Sequence, residues 1–196
     1  TIIDSNTRNE KIKNFFINNK KRLVIGLSII LILIIGYLSI HEIKKQNKIK
    51  ISNQFNTVTM NFKIESEKKT IDELIKLIDK KDTTYSPLAL YFIIDNNLID
   101  NHTKINSLFD KLINDVNLDK EIKNLIIYKK ALFNSDILTE NDLLQILNPI
   151  INSESIWKSH SLFLMAEYFY SKNQKQKAKE FFDQVLLLPN ANNYIK

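Results

Sequence analysis

Three histidines, His41, His102 and His160, are the first residues to test for chemistry. An imidazole becomes a metal ligand or a general base only beside a suitable partner. On a helix that partner sits at i+3 or i+4, as in HExxH. None of the three has a His, Asp, Glu or Cys at those spacings. Ser159-His160-Ser161 sets two hydroxyls beside an imidazole, but neighbouring helical residues point apart, so this is no nucleophile–base pair. Paired carboxylates such as Asp72 and Glu73 read as solvated charges or helix caps. There is no cysteine, which excludes disulfides, thiolate metal sites and thiol nucleophiles. Both glycines of the chain lie in one hydrophobic run, so no glycine-rich phosphate loop exists outside it. The sequence is therefore read as a non-enzyme, with no catalytic residue, no metal, no cofactor and no small-molecule substrate.

The remaining chemistry is that of surfaces. The chain carries 28 Lys and Arg against 22 Asp and Glu. Residues 1–22 hold six of the basic residues and two of the acidic ones. Residues 41–196 are nearly balanced, at 22 basic to 20 acidic. A domain without a strongly basic stripe is not expected to take nucleic acid as its partner.

The run LVIGLSIILILIIGYLSI, Leu23 to Ile40, holds eighteen residues without a charge, directly after NNKKR. As a helix it spans about 27 Å, close to the ~30 Å hydrocarbon core of a bilayer. Thirteen of its residues are Leu, Ile or Val. On an insertion scale they favour the membrane by about 4–8 kcal/mol. A signal-peptide core is shorter and ends at a small-x-small cleavage site, whereas this run leads into SIHEIKKQNK. The run is apolar all round, unlike a soluble core helix. An uncleaved anchor is expected, with Leu23, Ile30, Ile34, Tyr37 and Ile40 facing lipid. Tyr37 suits an interfacial position, and Gly26 and Gly36 are not at GxxxG spacing. Six Lys or Arg precede the run and Lys44, Lys45, Lys48 and Lys50 follow it. That balance favours an N-terminus in the cytoplasm, modestly. The second group either touches anionic headgroups or simply stops the helix sliding inward.

Beyond the anchor the pattern is helical throughout. Ile51, Phe55, Val58 and Phe62 follow i, i+4, i+7, i+11 spacing and can continue the membrane helix without a break. Thr70 and Glu73 form a capping box ahead of Ile71, Leu74, Ile75 and Ile78. Ser86 reads as an N-cap with Pro87 in the first helical position. A third stripe carries Ile105, Leu108, Phe109, Leu112 and Ile113. The next runs from about Asp119 to Phe133, with Ile122, Leu125, Ile126 and Leu132. Thr139 to Asp142 opens another, holding Leu143, Ile146, Leu147 and Ile150, which Pro149 should end or bend. Helix starts recur about every 17 residues, about 34 per pair, which suggests an α-solenoid of stacked hairpins.

The last unit, SHSLFLMAEYFYSKNQKQKAKEFFDQVLLLPNA, resembles a tetratricopeptide repeat. Leu162, Met165, Ala166, Phe169, Ala178, Phe182 and Pro189 take the signature places, Pro189 one position early. Asn173 stands where the turn usually has glycine, and asparagine tolerates the left-handed conformation such a turn needs. The earlier units carry the period more than the signature. The chain closes on NANNYIK without an evident polar capping helix and opens without Met, which leaves truncation open.

The whole arrangement resembles the YfgM-like family of bacterial inner-membrane proteins. The likeness rests on the architecture and on ILNPIINSESIWKSHSLFLMAEYFYSKNQKQKAKEFFDQVL, similar to the C-terminal half of alphaproteobacterial members. The missing turn glycine and the weak early repeats depart from the pattern. The resemblance implies a cytoplasmic tail over residues 1–22, a span over 23–40 and a periplasmic tetratricopeptide-like domain over 41–196. It also implies a role ancillary to the SecYEG translocon and periplasmic chaperones.

The expected fold is thus all-α: one N-terminal transmembrane helix, then an α-solenoid of tetratricopeptide-like hairpins. Its concave face would present His160, Phe163, Glu167 and Tyr170 to a partner protein. The competing reading packs Phe163 and Tyr170 on the preceding pair and leaves His160 exposed. Trp157, the only tryptophan, is assigned to core packing ahead of a binding role. Two other functions are weighed: a structural subunit of a larger membrane complex, and a cytosol-facing adaptor of inverted topology.

Overall fold

The computed structural model describes residues 4–63 and 67–188, with side chains from residue 8 onward. Among the described residues there are eight α-helices and no strand. The first, α1, runs unbroken over Asp4–Met60. It is long and apolar enough to cross a membrane, and none of its most apolar eighteen-residue window is buried. Inside that window the Ser28 hydroxyl donates to the Val24 carbonyl at 2.9 Å, so its one polar hydrogen is satisfied within the helix.

The chain divides into two compact units, one ending at Lys50 and one beginning at Ile51. The end of α1 therefore belongs to the second unit, where Ile51, Phe55 and Val58 pack into its core as their spacing predicts. Seven further helices follow: α2 Glu67–Asp79, α3 Tyr85–Asp95, α4 His102–Asp115, α5 Lys120–Asn134, α6 Glu140–Ile151, α7 Lys158–Ser171 and α8 Lys175–Leu187. From α2 onward each packs against the next. Helices two apart also meet. Lys111 of α4 pairs with Asp79 of α2, and Lys177 of α8 with Glu140 of α6 at 2.8 Å. These pairs are exposed and add little stability, but they show which helices run side by side.

Burial supplies the stability. One cluster gathers Leu74, Ile78, Leu90, Ile93, Ile105, Phe109 and Leu112 around the α1 end, α2, α3 and α4. A second gathers Leu143, Leu147, Met165, Phe169 and Ala178 around α5 to α8. Ala166 and Ala178 are fully enclosed, as the close helix crossing requires.

Several local expectations fail for identifiable reasons. Thr70 is not a cap: α2 begins at Glu67, and Thr70 is buried in its first turns. Ser86 is not the cap of α3 either. Asp82 takes that work, accepting from the Thr84 and Tyr85 amides at 2.9 and 2.8 Å. Ser86 is buried and donates to the Leu77 carbonyl at 2.9 Å, tying α3 to the end of α2. In α5 the buried positions are Asn124, Ile126, Ile127, Ala131 and Asn134, while Ile122 and Leu132 are exposed. An asparagine pair makes this possible: Asn134 and Asn106 of α4 exchange reciprocal side-chain hydrogen bonds at 2.8 Å. Pro149 does not end α6 where it stands, since the helix runs two residues further, to Ile151. Pro189 and NANNYIK lie outside the described residues.

Other local readings hold. Thr139 caps α6 by accepting from the Asp142 amide at 3.3 Å. Asn173 has φ 63, the left-handed region, between α7 and α8. Alanine costs roughly 1–2 kcal/mol in that conformation and glycine avoids the Cβ clash. We expect Asn173→Ala to lower the unfolding free energy by about 1 kcal/mol and Asn173→Gly to leave it unchanged or slightly raised. Urea unfolding of the detergent-solubilised chain, followed by Trp157 fluorescence, reads both.

Candidate functional site

The four residues assigned to one face of α7 do not share one environment. His160 is half-buried against α5, its ring 5.9 Å from Tyr128 and 5.2 Å from Trp157. Phe163 turns toward its own hairpin partner and meets Phe182 of α8 edge-on at 5.6 Å. Phe163 also belongs to the small cluster around Leu162 and Val185, to which Ile151 of α6 contributes. Glu167 and Tyr170 are exposed, Tyr170 at 65 %. Trp157 is half-buried and stacks on Tyr128 at 6.0 Å, so its packing role and its partial exposure coexist.

Tyr128 is the residue that sequence reasoning missed. It joins α5 to α7 through Trp157 and His160. Burial raises its phenol pKa, and the Glu167 carboxylate raises it further. At neutral pH it is a neutral hydroxyl on an aromatic face. The link is braced by Glu121 at the start of α5. Its carboxylate accepts from the Ser155 hydroxyl at 2.7 Å and from the Ile156 amide at 3.2 Å. The segment leading into α7 is therefore tethered to α5 by charge-assisted hydrogen bonds.

On its other side α5 meets α3. The Lys129 ammonium lies 4.7 Å from the centroid of the Tyr91 ring. Burial pushes the Tyr91 phenol up to about 12. Here α3, α4 and α5 enclose a cleft of about 180 Å³, lined by Tyr91, Ile94, Asp95, Lys129, Leu132 and Phe133, with Phe109 behind them. Leu132 is 46 % exposed and lines this cleft. One turn of α5 thus connects the cleft to the Tyr128–Trp157–His160 cluster. The cleft combines aromatic side chains, an exposed leucine and one charge of each sign. The signal in the sequence was present: Tyr128, Lys129 and Leu132 stand at i, i+1 and i+4 on one helix. An apolar pattern alone does not say which apolar residues a fold leaves outside.

The other two histidines lie apart from this cluster. His102 lies 4.8 Å from Phe133 as a ring contact, and His41 is exposed on α1. Among the described residues no group of three or more His, Asp or Glu is placed to hold a metal ion.

His160 gives a pH readout. Burial lowers its pKa below the ordinary 6.5. The folded state therefore binds its proton less readily than the unfolded one, so this group's contribution to stability falls as pH drops through about 6.5. Imidazolium quenches a neighbouring indole, and Trp157 is the only tryptophan. We expect Trp157 fluorescence to fall with a midpoint below pH 6.5, and the transition to vanish in His160→Gln.

No protein-family model, no curated protein and no solved structure matches this chain.

Proposed function

We propose that this chain is a single-pass membrane protein, not an enzyme, whose C-terminal unit is a tetratricopeptide-like helical-repeat scaffold for protein partners. The binding face runs along α3, α5 and α7. One observation carries this reading: α5 touches both α3 and α7 through partly exposed aromatic contacts, Tyr91–Lys129 on one side and Tyr128–Trp157–His160 on the other. Ion pairs meanwhile connect α2 with α4 and α6 with α8. Alternate helices in separate rows are what stacked hairpins produce. The left-handed Asn173 and the enclosed Ala166 and Ala178 support the hairpin reading of the last pair. The narrower proposal places the unit in the periplasm at a bacterial inner membrane, ancillary to SecYEG and periplasmic chaperones. It rests on the family resemblance and on the excess of basic residues before the span.

Site-specific photo-cross-linking in membranes tests the face. A photoreactive phenylalanine at Leu132 or at Tyr170 should give adducts with the same partner, and one at Gln184 on α8 should give none. Adducts from Gln184 alone, or from no position, sink the proposed face. A translocon subunit or a periplasmic chaperone in the adducts supports the narrower proposal. A single unrelated complex recovered in fixed stoichiometry replaces it with the structural-subunit reading.

A further inference from the structure

We infer that α1 carries two basic collars that engage the anionic headgroups of both leaflets at once, and so fix the depth of the anchor in the bilayer. The inference rests on the spanning role proposed for α1. The inner edge of the first collar is Lys20, Lys21 and Arg22, and the second comprises Lys44, Lys45, Lys48 and Lys50. All seven are exposed, and none has an ion-pair partner among the described residues. The one carboxylate between them, Glu42, instead accepts from the Gln46 side-chain amide at 2.7 Å.

Geometry gives the partner. Because α1 is a single continuous helix, Lys20 and Lys44 are separated by about 36 Å along its axis at 1.5 Å per residue. A hydrocarbon core is about 30 Å thick, or about 40–45 Å with headgroups. With the core centred between them, Lys20 and Lys44 fall about 3 Å outside the hydrocarbon, within the headgroup layer, and a tilt of about 20° leaves them there. Lys21, Arg22 and Lys45 lie within about 5 Å of the same boundary, whereas Lys48 and Lys50 start about 9 and 12 Å out and reach the phosphates only by turning their side chains back. Lys20, Lys21 and Arg22 are consecutive, so they point about 100° apart and ring the helix. Lys44, Lys45 and Lys48 share one side and Lys50 lies on another. Five unpaired cations at headgroup depth, Lys20, Lys21, Arg22, Lys44 and Lys45, with Lys48 and Lys50 just outside it, fit anionic phospholipid. The same arrangement explains why the basic residues on the two sides point only modestly to one orientation: they are placed for headgroups on both.

Lipid selectivity at the protein surface tests this. The full chain is reconstituted in phosphatidylcholine vesicles containing spin-labelled phosphatidylglycerol or spin-labelled phosphatidylcholine. The motionally restricted fraction of each label is then compared. The expected result is about fivefold preference for phosphatidylglycerol, the scale of one basic side chain per headgroup. K20Q/K21Q/R22Q and K44Q/K45Q/K48Q/K50Q should each remove about half of the preferring sites, and the combined variant all of them. No preference, or a preference that survives the combined variant, overturns the inference. Loss through one collar alone overturns its two-leaflet form. Absence of any restricted lipid with either label means α1 is not in the bilayer, and then the spanning proposal itself fails.

Discussion

Lysine at both Ile30 and Ile34 is expected to keep the chain out of the membrane. The two positions lie one turn apart in the middle of the apolar run, and both are exposed. The thirteen Leu, Ile and Val residues of that run favour insertion by about 4–8 kcal/mol in total. Each lysine at a helix centre costs about 2.5–3.5 kcal/mol and also removes an isoleucine that contributed favourably. Two of them together cancel most or all of the driving force. Carbonate extraction of membranes from cells expressing the double variant should move the protein from the pellet to the supernatant. Gly26→Leu is the control. Nothing lies within 4 Å of the Cβ it would add, so extraction should be unchanged.

The second large effect is in the C-terminal unit. Phe169→Ala should cost about 3–5 kcal/mol, a large share of the roughly 5–15 kcal/mol that holds a typical domain folded. Phe169 is 1 % exposed, stacks on Phe181 at 5.4 Å and lies under the Lys177 ammonium at 5.1 Å. Few atoms can move into the space it would leave, because Met165 and Ala178 beside it are themselves enclosed. Tyr170→Ala, one residue later, removes an exposed ring and should change stability by less than about 0.5 kcal/mol. Denaturant unfolding of both variants, with Trp157 as the reporter, separates them. Equal losses would mean that α7 is rotated from the face described above.

The helices and their order along the chain are legible in the sequence, because only a helix brings apolar residues at a 3.6 period onto one buried face. Asn173 is legible too, since an asparagine between two amphipathic helices has a conformational reason to be there. The helix starts are less so. Thr70-x-x-Glu73 and Ser86-Pro87 have the composition of caps, yet Thr70 is buried within α2 and Ser86 reaches across to Leu77. A short hydroxyl side chain serves a cap and a buried cross-link equally well, and only the tertiary partner decides. Pro149 misleads for a related reason. It sits two residues before the end of α6, and Ile150 after it is still helical and buried in the second cluster. The buried face of α5 escapes the pattern because Asn124 and Asn134 have the polarity of surface residues and are buried. The same two asparagines hide Tyr128 and Leu132, the residues that make α5 the centre of the candidate site.

Topology tests the proposal most directly, and a chain without cysteine makes the labelling clean. Asn9→Cys marks the basic tail and Asp136→Cys marks the exposed loop between α5 and α6, each in an otherwise native chain. Intact spheroplasts are treated with a membrane-impermeant maleimide, before and after permeabilisation. A spanning α1 with the partner-binding unit outside the cytoplasm predicts labelling of position 136 at once, and of position 9 only after permeabilisation. Labelling of position 9 alone in intact spheroplasts would put the unit in the cytosol. Immediate labelling of both would contradict a membrane-spanning α1 altogether.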